Sequence, residues 1–207
     1  MSNIYDDIYK QEEYYWGFKP APTCFKVLQA LPPVKKLKLL DIGCGEGRNA
    51  AFFARNGYDV TAFDLADAGV EKTKKLADKI GVKVKVFKAN INEYRLTDKF
   101  DIIFSVGTLQ YIPKEFREEI ITNYKDHTKE NGIHMLSVFV KKPFIEPAPE
   151  GEKNSHKWIS GELLTYYHDW MIEYSTEEIF DCMSSGIPHK HATNRVLARK
   201  TICLKTK

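Results

Sequence analysis

The chain has 207 residues, 43% hydrophobic and 13% aromatic, which suits one sizeable core and excludes both wholesale disorder and a large multidomain machine. Its 31 Lys and Arg nearly balance 28 Asp and Glu, for a formal charge of +3, so charge makes no case for a nucleic-acid or anionic-membrane partner. The four cysteines, Cys24, Cys44, Cys182 and Cys203, lie far apart with no C-x-x-C pair, which fits neither a disulfide framework nor a zinc knuckle.

The N-terminus lacks a basic start followed by an apolar core, and no apolar run approaches membrane-spanning length, so a cytoplasmic protein without a membrane partner is expected. Residues 1–207 read as a single domain, with 1–30 a helical cap and 141–160 an irregular connection. From Leu37 onward, short β-rich runs alternate with amphipathic stretches, the pattern of an α/β, doubly wound, mostly parallel sheet. The first strand is Leu37–Gly43, followed by a helix over Arg48–Asn56 that Gly57 stops. Next come a strand over Asp59–Asp64, a helix over Asp67–Ile80 closed by Gly81, and a strand over Val82–Phe87. Phe100–Ser105 is almost continuously apolar, as a central parallel strand should be. Pro113 stands where a helix can start, with Phe116, Ile120, Ile121 and Tyr124 as its apolar stripe. The turn Glu130-Asn131-Gly132 leads to a fifth strand, Ile133–Val140. Lys141 to Ser155 holds Pro143, Pro147 and Pro149 and reads as an irregular connection, the kind of segment that often forms a lid. A short helix over Gly161–Tyr167 precedes two strands, Trp170–Ile179 and Thr193–Leu204, expected as an antiparallel hairpin at the sheet edge.

The stretch Asp41-Ile42-Gly43-Cys44-Gly45-Glu46-Gly47-Arg48-Asn49 places three glycines at a strand-to-helix turn, where a ligand can touch bare backbone. It is not the dinucleotide fingerprint, whose third glycine would fall at Arg48, and no G-K-[ST] phosphate loop occurs. Asp64 ends the second strand at the spacing at which doubly wound folds place an acid on a ribose diol. Asn90-Ile91-Asn92 follows the third strand, where an amide can meet an adenine edge. These clusters fall at the carboxyl ends of three strands, where open α/β sheets bind ligands.

On Asp41-x-Gly43-x-Gly45-x-Gly47, Asp64, Asn90 and the exit Ser105-Val106-Gly107-Thr108-Leu109-Gln110-Tyr111, the chain resembles the class I S-adenosylmethionine-dependent methyltransferases. A closer resemblance, to the tellurite-resistance (TehB-like) methyltransferases, is carried by Gly45-x-Gly47-Arg48-Asn49, by Asn56-Gly57-Tyr58-Asp59-Val60 and by Leu197-Ala198-Arg199-Lys200. Gly161-Glu162-Leu163-x-x-Tyr166-Tyr167-x-x-Trp170 is its most specific segment. The resemblance implies a seven-stranded sheet, S-adenosyl-L-methionine as cofactor and methyl transfer to a small-molecule acceptor such as a thiol or a tellurite or selenite species. The cofactor contacts it implies are Asp41, Gly43, Cys44, Gly45, Arg48, Asn49, Asp64, Leu65, Asn90, Ile91, Asn92 and Ser105. Many members carry Asp where this chain has Asn90. The family's His-Arg pair after the sixth strand and its later Arg align with Met183, Ser184 and His191, a departure that bears on tellurite as acceptor.

His189, His191, Arg195 and Tyr111 are the catalytic candidates; a histidine near its ordinary pKa of about 6.5 can serve as base or as cation. Cys44 reads as a packed thiol, with no histidine nearby in sequence to make it a thiolate. The two histidines at i, i+2 share a strand face without completing a metal site, so no metal is expected. Tyr5, Tyr9, Tyr14, Tyr15 and Trp16 either pack against the sheet or cover the cofactor, together with the Lys141–Ser155 connection. A non-enzymatic S-adenosylmethionine-binding module and an NAD-linked oxidoreductase remain as alternatives. Sequence does not give the oligomeric state.

Overall fold

The computed structural model describes residues 4–148, 155–183 and 186–201. Strands β1 (Lys38–Ile42), β2 (Asp59–Asp64), β3 (Val84–Lys88), β4 (Phe100–Val106) and β5 (Thr128–Val140) pair in parallel. β6 (Met171–Cys182) and β7 (His189–Arg199) form the antiparallel hairpin. The sheet order is β3-β2-β1-β4-β5-β7-β6, with β7 antiparallel to β5. The expected doubly wound sheet is therefore the one built. Helices α1 (Ile4–Tyr9), α2 (Pro22–Ala30), α3 (Arg48–Arg55), α4 (Asp67–Lys79), α5 (Arg117–Asp126) and α6 (Glu162–Thr165) surround it.

Because successive side chains of a strand point to opposite faces, β1 feeds two cores. Leu39 joins Cys24, Val27, Phe53 and Phe104 under α2 and α3, whereas Leu40 and Ile42 join Ile120, Tyr124, Trp158 and Leu163 under α5 and α6. Asp41 consequently faces α3, beside the turn that follows β1.

Several boundaries depart from the sequence pattern for local reasons. β3 starts at Val84 rather than Val82, because the Val82 N–H closes the end of α4 by donating to the Ala77 carbonyl (3.0 Å). Pro113 opens a 3₁₀ turn, Lys114–Phe116, and α5 begins only at Arg117, leaving Phe116 outside the stripe and 44% exposed. β5 starts five residues early: Thr128 already pairs with Phe100, and the Glu130–Gly132 turn is a bulge with Asn131 at φ 61°. α6 is only four residues long. β7 begins at His189 rather than Thr193, because Lys190 and His191 pair with Asp181 and Phe180; the expected end at Leu204 and Cys203 lie outside the described residues.

The Gly161–Trp170 segment is an anchor for the sheet. The Glu162 carboxylate accepts from Arg117 (2.7 Å), whose guanidinium is itself buried over the Trp158 ring. Tyr167 donates its hydroxyl to His134 Nδ1 (2.7 Å), and Trp170 packs on the same imidazole with centroids 4.7 Å apart. His134 Nε2–H in turn donates to the Thr128 hydroxyl (2.7 Å), which donates on to the Tyr124 carbonyl. This chain of donors fits a neutral imidazole, and burial pushes His134 down to about 3. Along the β6–β7 ladder, Glu173 pairs with Arg199, Glu178 with Arg195 and Asp181 with Lys190, opposite charges that help fix the register.

Candidate active site at the carboxyl edge

The turn between β1 and α3 runs through three left-handed glycines, Gly43 (φ 69°), Gly45 (56°) and Gly47 (88°), a path that side chains disfavour. A Cβ on Gly43 would lie 2.0 Å from the Thr108 hydroxyl oxygen, so the exit of β4 closes directly on this turn. Asp64, at the end of β2, accepts from the Gly45 N–H through Oδ2 (2.8 Å) and from the Ala66 N–H through Oδ1 (2.9 Å). Each carboxylate oxygen has two lone pairs, so acceptor capacity remains for further donors. Burial raises the Asp64 carboxyl, partly offset by those two backbone donors. Asp41 lies behind the turn, 1% exposed, and its Oδ2 has no hydrogen-bond partner.

The N-terminal arm lies across this turn. Tyr9 is 5% exposed, and its hydroxyl, which accepts from Trp16 Nε1 (2.9 Å), sits 3.0 Å from where a Gly45 Cβ would be. Glu46 fixes the arm: its carboxylate accepts from the Tyr15 N–H and the Trp16 N–H (both 3.1 Å) and from Lys72 Nζ (2.8 Å). Tyr5 reaches the Tyr111 hydroxyl at 3.3 Å, joining the arm to the β4 exit.

The remaining candidates divide. Leu65 is 45% exposed beside Asp64, and Ile91 is buried after β3. Tyr111 stands at the edge, its carbonyl accepting from Asn92 Nδ2 (3.1 Å). Asn90 is half-buried and bonded locally: its amide donates to Glu93 (2.8 Å) and its oxygen accepts from the Asn92 N–H (3.1 Å). Three residues expected at the cofactor make hydrogen bonds that hold the fold around the turn. Arg48 donates to the Trp16 and Lys19 carbonyls, and Asn49 accepts from the Ala21 N–H (2.9 Å) and the Cys24 thiol. Ser105 is fully buried, donating to the Ile42 carbonyl (3.1 Å). Cys44 is buried, and desolvation pushes its thiol well up, which keeps it protonated and inert.

A cavity of about 620 Å³ opens farther along the same edge, at the ends of β5 and β7, lined by Phe139, Lys141, Lys142, Ile145, Lys157, Lys190 and His191 among others. The described part of the 141–160 connection lines this cavity rather than the glycine turn. It reaches the cofactor side through the His156 N–H, which donates to the Gln110 carbonyl (2.6 Å), next to Tyr111. His191 borders the cavity and His189 adjoins it (Nε2 to Nε2, 3.0 Å). Arg195 does not: it sits four residues deeper in β7, paired with Glu178. Met183 is exposed, and Ser184 lies outside the described residues.

The tellurite resistance protein TehB family matches residues 7–193. The chain belongs to the TehB family. The "probable S-adenosyl-L-methionine-dependent methyltransferase TehB" of Haemophilus influenzae is 27% identical over 197 residues, 93% of this chain and 68% of the relative. The crystal structure of TehB from the same organism superposes with a TM-score of 0.74 at 25% identity, covering 86% of this chain and 62% of that one. The chain thus spans somewhat less than two thirds of the crystallised TehB. A ubiquinone biosynthesis O-methyltransferase of Rickettsia canadensis is 30% identical over 122 residues, 58% of this chain and 51% of the relative. The fold is that of the class I S-adenosylmethionine-dependent methyltransferases, and S-adenosyl-L-methionine is the cofactor such a fold takes.

The site of this TehB-family chain fits that group. A left-handed glycine turn, an acid at the end of β2 with acceptor capacity to spare and an orphaned buried acceptor at Asp41 suit a ligand bearing an ammonium and a diol. Sequence reasoning missed Glu46 and Lys72. Glu46 stands between two glycines of the motif with no sequence signal of its own, and only the fold brings Lys72 and the arm to it.

Asp41 also gives the cofactor-free chain a distinctive pH response. Burial, with the nearby Asp64 charge, pushes its carboxyl up from 3.8 to about 7. Between those values the folded state holds the proton that the unfolded state releases, so this group lowers stability as pH rises, by up to about 1.4 kcal/mol per unit. His134 acts oppositely: with 6.5 unfolded and about 3 folded, it lowers stability as pH falls through that range. The two slopes oppose each other from about pH 4 to 6.5. Asp41→Asn should therefore gain stability over the wild type progressively from pH 4 to 7 in urea melts, and expose a steeper acid limb. A constant difference across that range would mean that Asp41 ionises as it does in the unfolded chain.

Proposed function

We propose that this chain transfers the methyl group of S-adenosylmethionine to a small anionic or soft nucleophile, a thiolate or chalcogen oxyanion. The observation that carries the reading is Asp64, held as an acceptor by Gly45 and Ala66 at the rim of a left-handed glycine turn. In it, Gly43, Gly45 and Gly47 carry the methionine part, Asp64 the ribose hydroxyls, and Leu65 with the Asn90–Asn92 turn the adenine. The cofactor supplies an electrophilic methyl carbon; the chain contributes alignment and exclusion of water. Tyr9, Trp16 and Tyr5 cover the glycine turn, and aromatic faces favour a sulfonium cation. The acceptor enters by the cavity beyond Tyr111, where Lys141 and Lys157 stand with Glu146, Lys142 and Lys190 being paired with Glu177 and Asp181. Such a lining favours an anion, which needs no strong base. Met183 and Ser184, in place of the family's His-Arg pair, make tellurite a poorer acceptor than thiols in this reading.

Asp64→Ala should weaken S-adenosylhomocysteine binding by about 1.5–3 kcal/mol, the range for hydrogen bonds to a charged group, measured by calorimetry. Unchanged affinity would remove Asp64 from the site. Turnover across thiols, halides, selenite, tellurite and small phenols, read as S-adenosylhomocysteine formed, tests the acceptor class. A phenol-only profile would overturn the soft-nucleophile reading and favour O-methylation.

A further inference from the structure

Two histidines alone left a metal site incomplete in the sequence, but the β6–β7 ladder supplies a third donor. In its register Cys182 lies directly opposite His189, and Phe180 opposite His191. Residues two apart on a strand share a face, as do residues directly opposite across an antiparallel ladder, so Cys182, His189 and His191 project from the same face near the hairpin turn. Their ligand atoms all lie within 4.8 Å of one another.

The geometry points to a thiophilic divalent cation of the zinc class, held by Cys182 Sγ and by Nε2 of His189 and His191. Three features make this a prepared site. His189 Nδ1 is 2.7 Å from the Ile187 carbonyl; its N–H donates there, fixing the tautomer that leaves Nε2 as a ligand, the outer hydrogen bond that metal-binding histidines generally make. The His191 ring is 5% exposed and stacked on Phe139 at 4.5 Å and 5°, so its orientation is held by packing. In that tautomer His191 Nε2–H donates to His189 Nε2 at 3.0 Å, so the ion takes the place of this proton, and two bonds of about 2.0–2.1 Å to a tetrahedral ion set the two nitrogens about 3.3–3.4 Å apart. A shift of a few tenths of an ångström admits the ion.

One sulfur with two imidazoles selects zinc-class ions over magnesium or calcium, which take oxygen. The thiolate supplies the negative charge the ion requires, and the neighbouring Lys190 is paired with Asp181. Three protein ligands leave a fourth position for water or a small ligand, the composition of catalytic rather than closed structural zinc sites. His191 places that position at the border of the cavity, where a soft anion would meet it. Ion binding itself does not depend on the methyl-acceptor reading.

The test is titration of the full chain, stripped with a chelator, with Co²⁺. A single equivalent should bring a near-ultraviolet sulfur-to-cobalt absorption and the intense visible bands of a four-coordinate ion, both bleached by Zn²⁺. Cys182→Ser should lose the sulfur band, and His189→Gln should weaken binding at least about tenfold. Zn²⁺ should raise the melting temperature of the wild type and not that of Cys182→Ser, since an ion that binds only the folded state stabilises it. Both substituted side chains are partly exposed, and circular dichroism checks that the variants fold. No sulfur band at one equivalent, or the same band in Cys182→Ser, overturns the assignment; the latter would place the ion on another thiol.

Discussion

Glu46→Ala is expected to lower the unfolding free energy by about 3–5 kcal/mol, the usual result of breaking one side of a buried ion pair. Glu46 is 2% and Lys72 9% exposed, so the buried lysine would lose the carboxylate 2.8 Å away. The Tyr15 and Trp16 N–H groups would lose their acceptor as well. Chemical denaturation followed by circular dichroism gives the stability, and the emission of Trp16 reports whether the arm has lifted from the glycine turn. Replacing both partners, Glu46→Gln with Lys72→Met, should recover much of the loss, because no uncompensated charge remains. A loss below about 1 kcal/mol in the single variant would mean that the pair behaves as an exposed one.

Gly43→Ala should be the most damaging single-methyl change in the site. A non-glycine residue in the left-handed region costs about 1–2 kcal/mol, and here the added carbon would also lie 2.0 Å from the Thr108 hydroxyl oxygen and 2.3 Å from its methyl. Forcing extra volume into a packed site typically costs about 1–3 kcal/mol more. Relief requires the β4 exit to move off the turn, so S-adenosylhomocysteine affinity should fall with stability. Gly43→Ala combined with Thr108→Gly separates the two effects: recovered binding with stability still reduced would leave the backbone strain as the remainder. Wild-type affinity and stability in Gly43→Ala would refute the close approach.

The parallel half was legible because its signals are local. β2 spans the expected Asp59–Asp64 to the residue, and Gly57 and Gly81 stop their helices in left-handed conformation at φ 97° and 71°. What escaped depends on long-range pairing. Lys190 and His191 look like a polar turn until Asp181 and Phe180 lie opposite them, and the Glu130–Gly132 turn becomes part of β5 only because β4 pairs with Thr128 beyond it. At the carboxyl edge, the strand-to-helix glycine turn and the place of Asp64 at the end of β2 were readable from spacing alone. The backbone partners of Arg48, Asn49 and Ser105 were not legible, because a polar residue beside a ligand motif looks the same in sequence whether or not it also holds the backbone. The Tyr166–Trp170 segment, specific as a family mark, serves mainly to lock His134 and Lys125 beneath α6.

The insertion of β7 between β5 and β6 also constrains how the molecule comes into being. β6 leaves the ribosome before the strand that attaches it to the sheet, and until residue 199 has emerged both β5 and β6 present open backbone edges. A nascent edge of this kind invites pairing with other chains. β6 carries Glu173, Glu177, Glu178 and Asp181 along its length, a row of like charges that would repel a second copy of itself. Those same carboxylates then meet Arg199, Asn194, Arg195 and Lys190 when β7 arrives. The charge pattern thus protects the half-made sheet and afterwards selects its final strand.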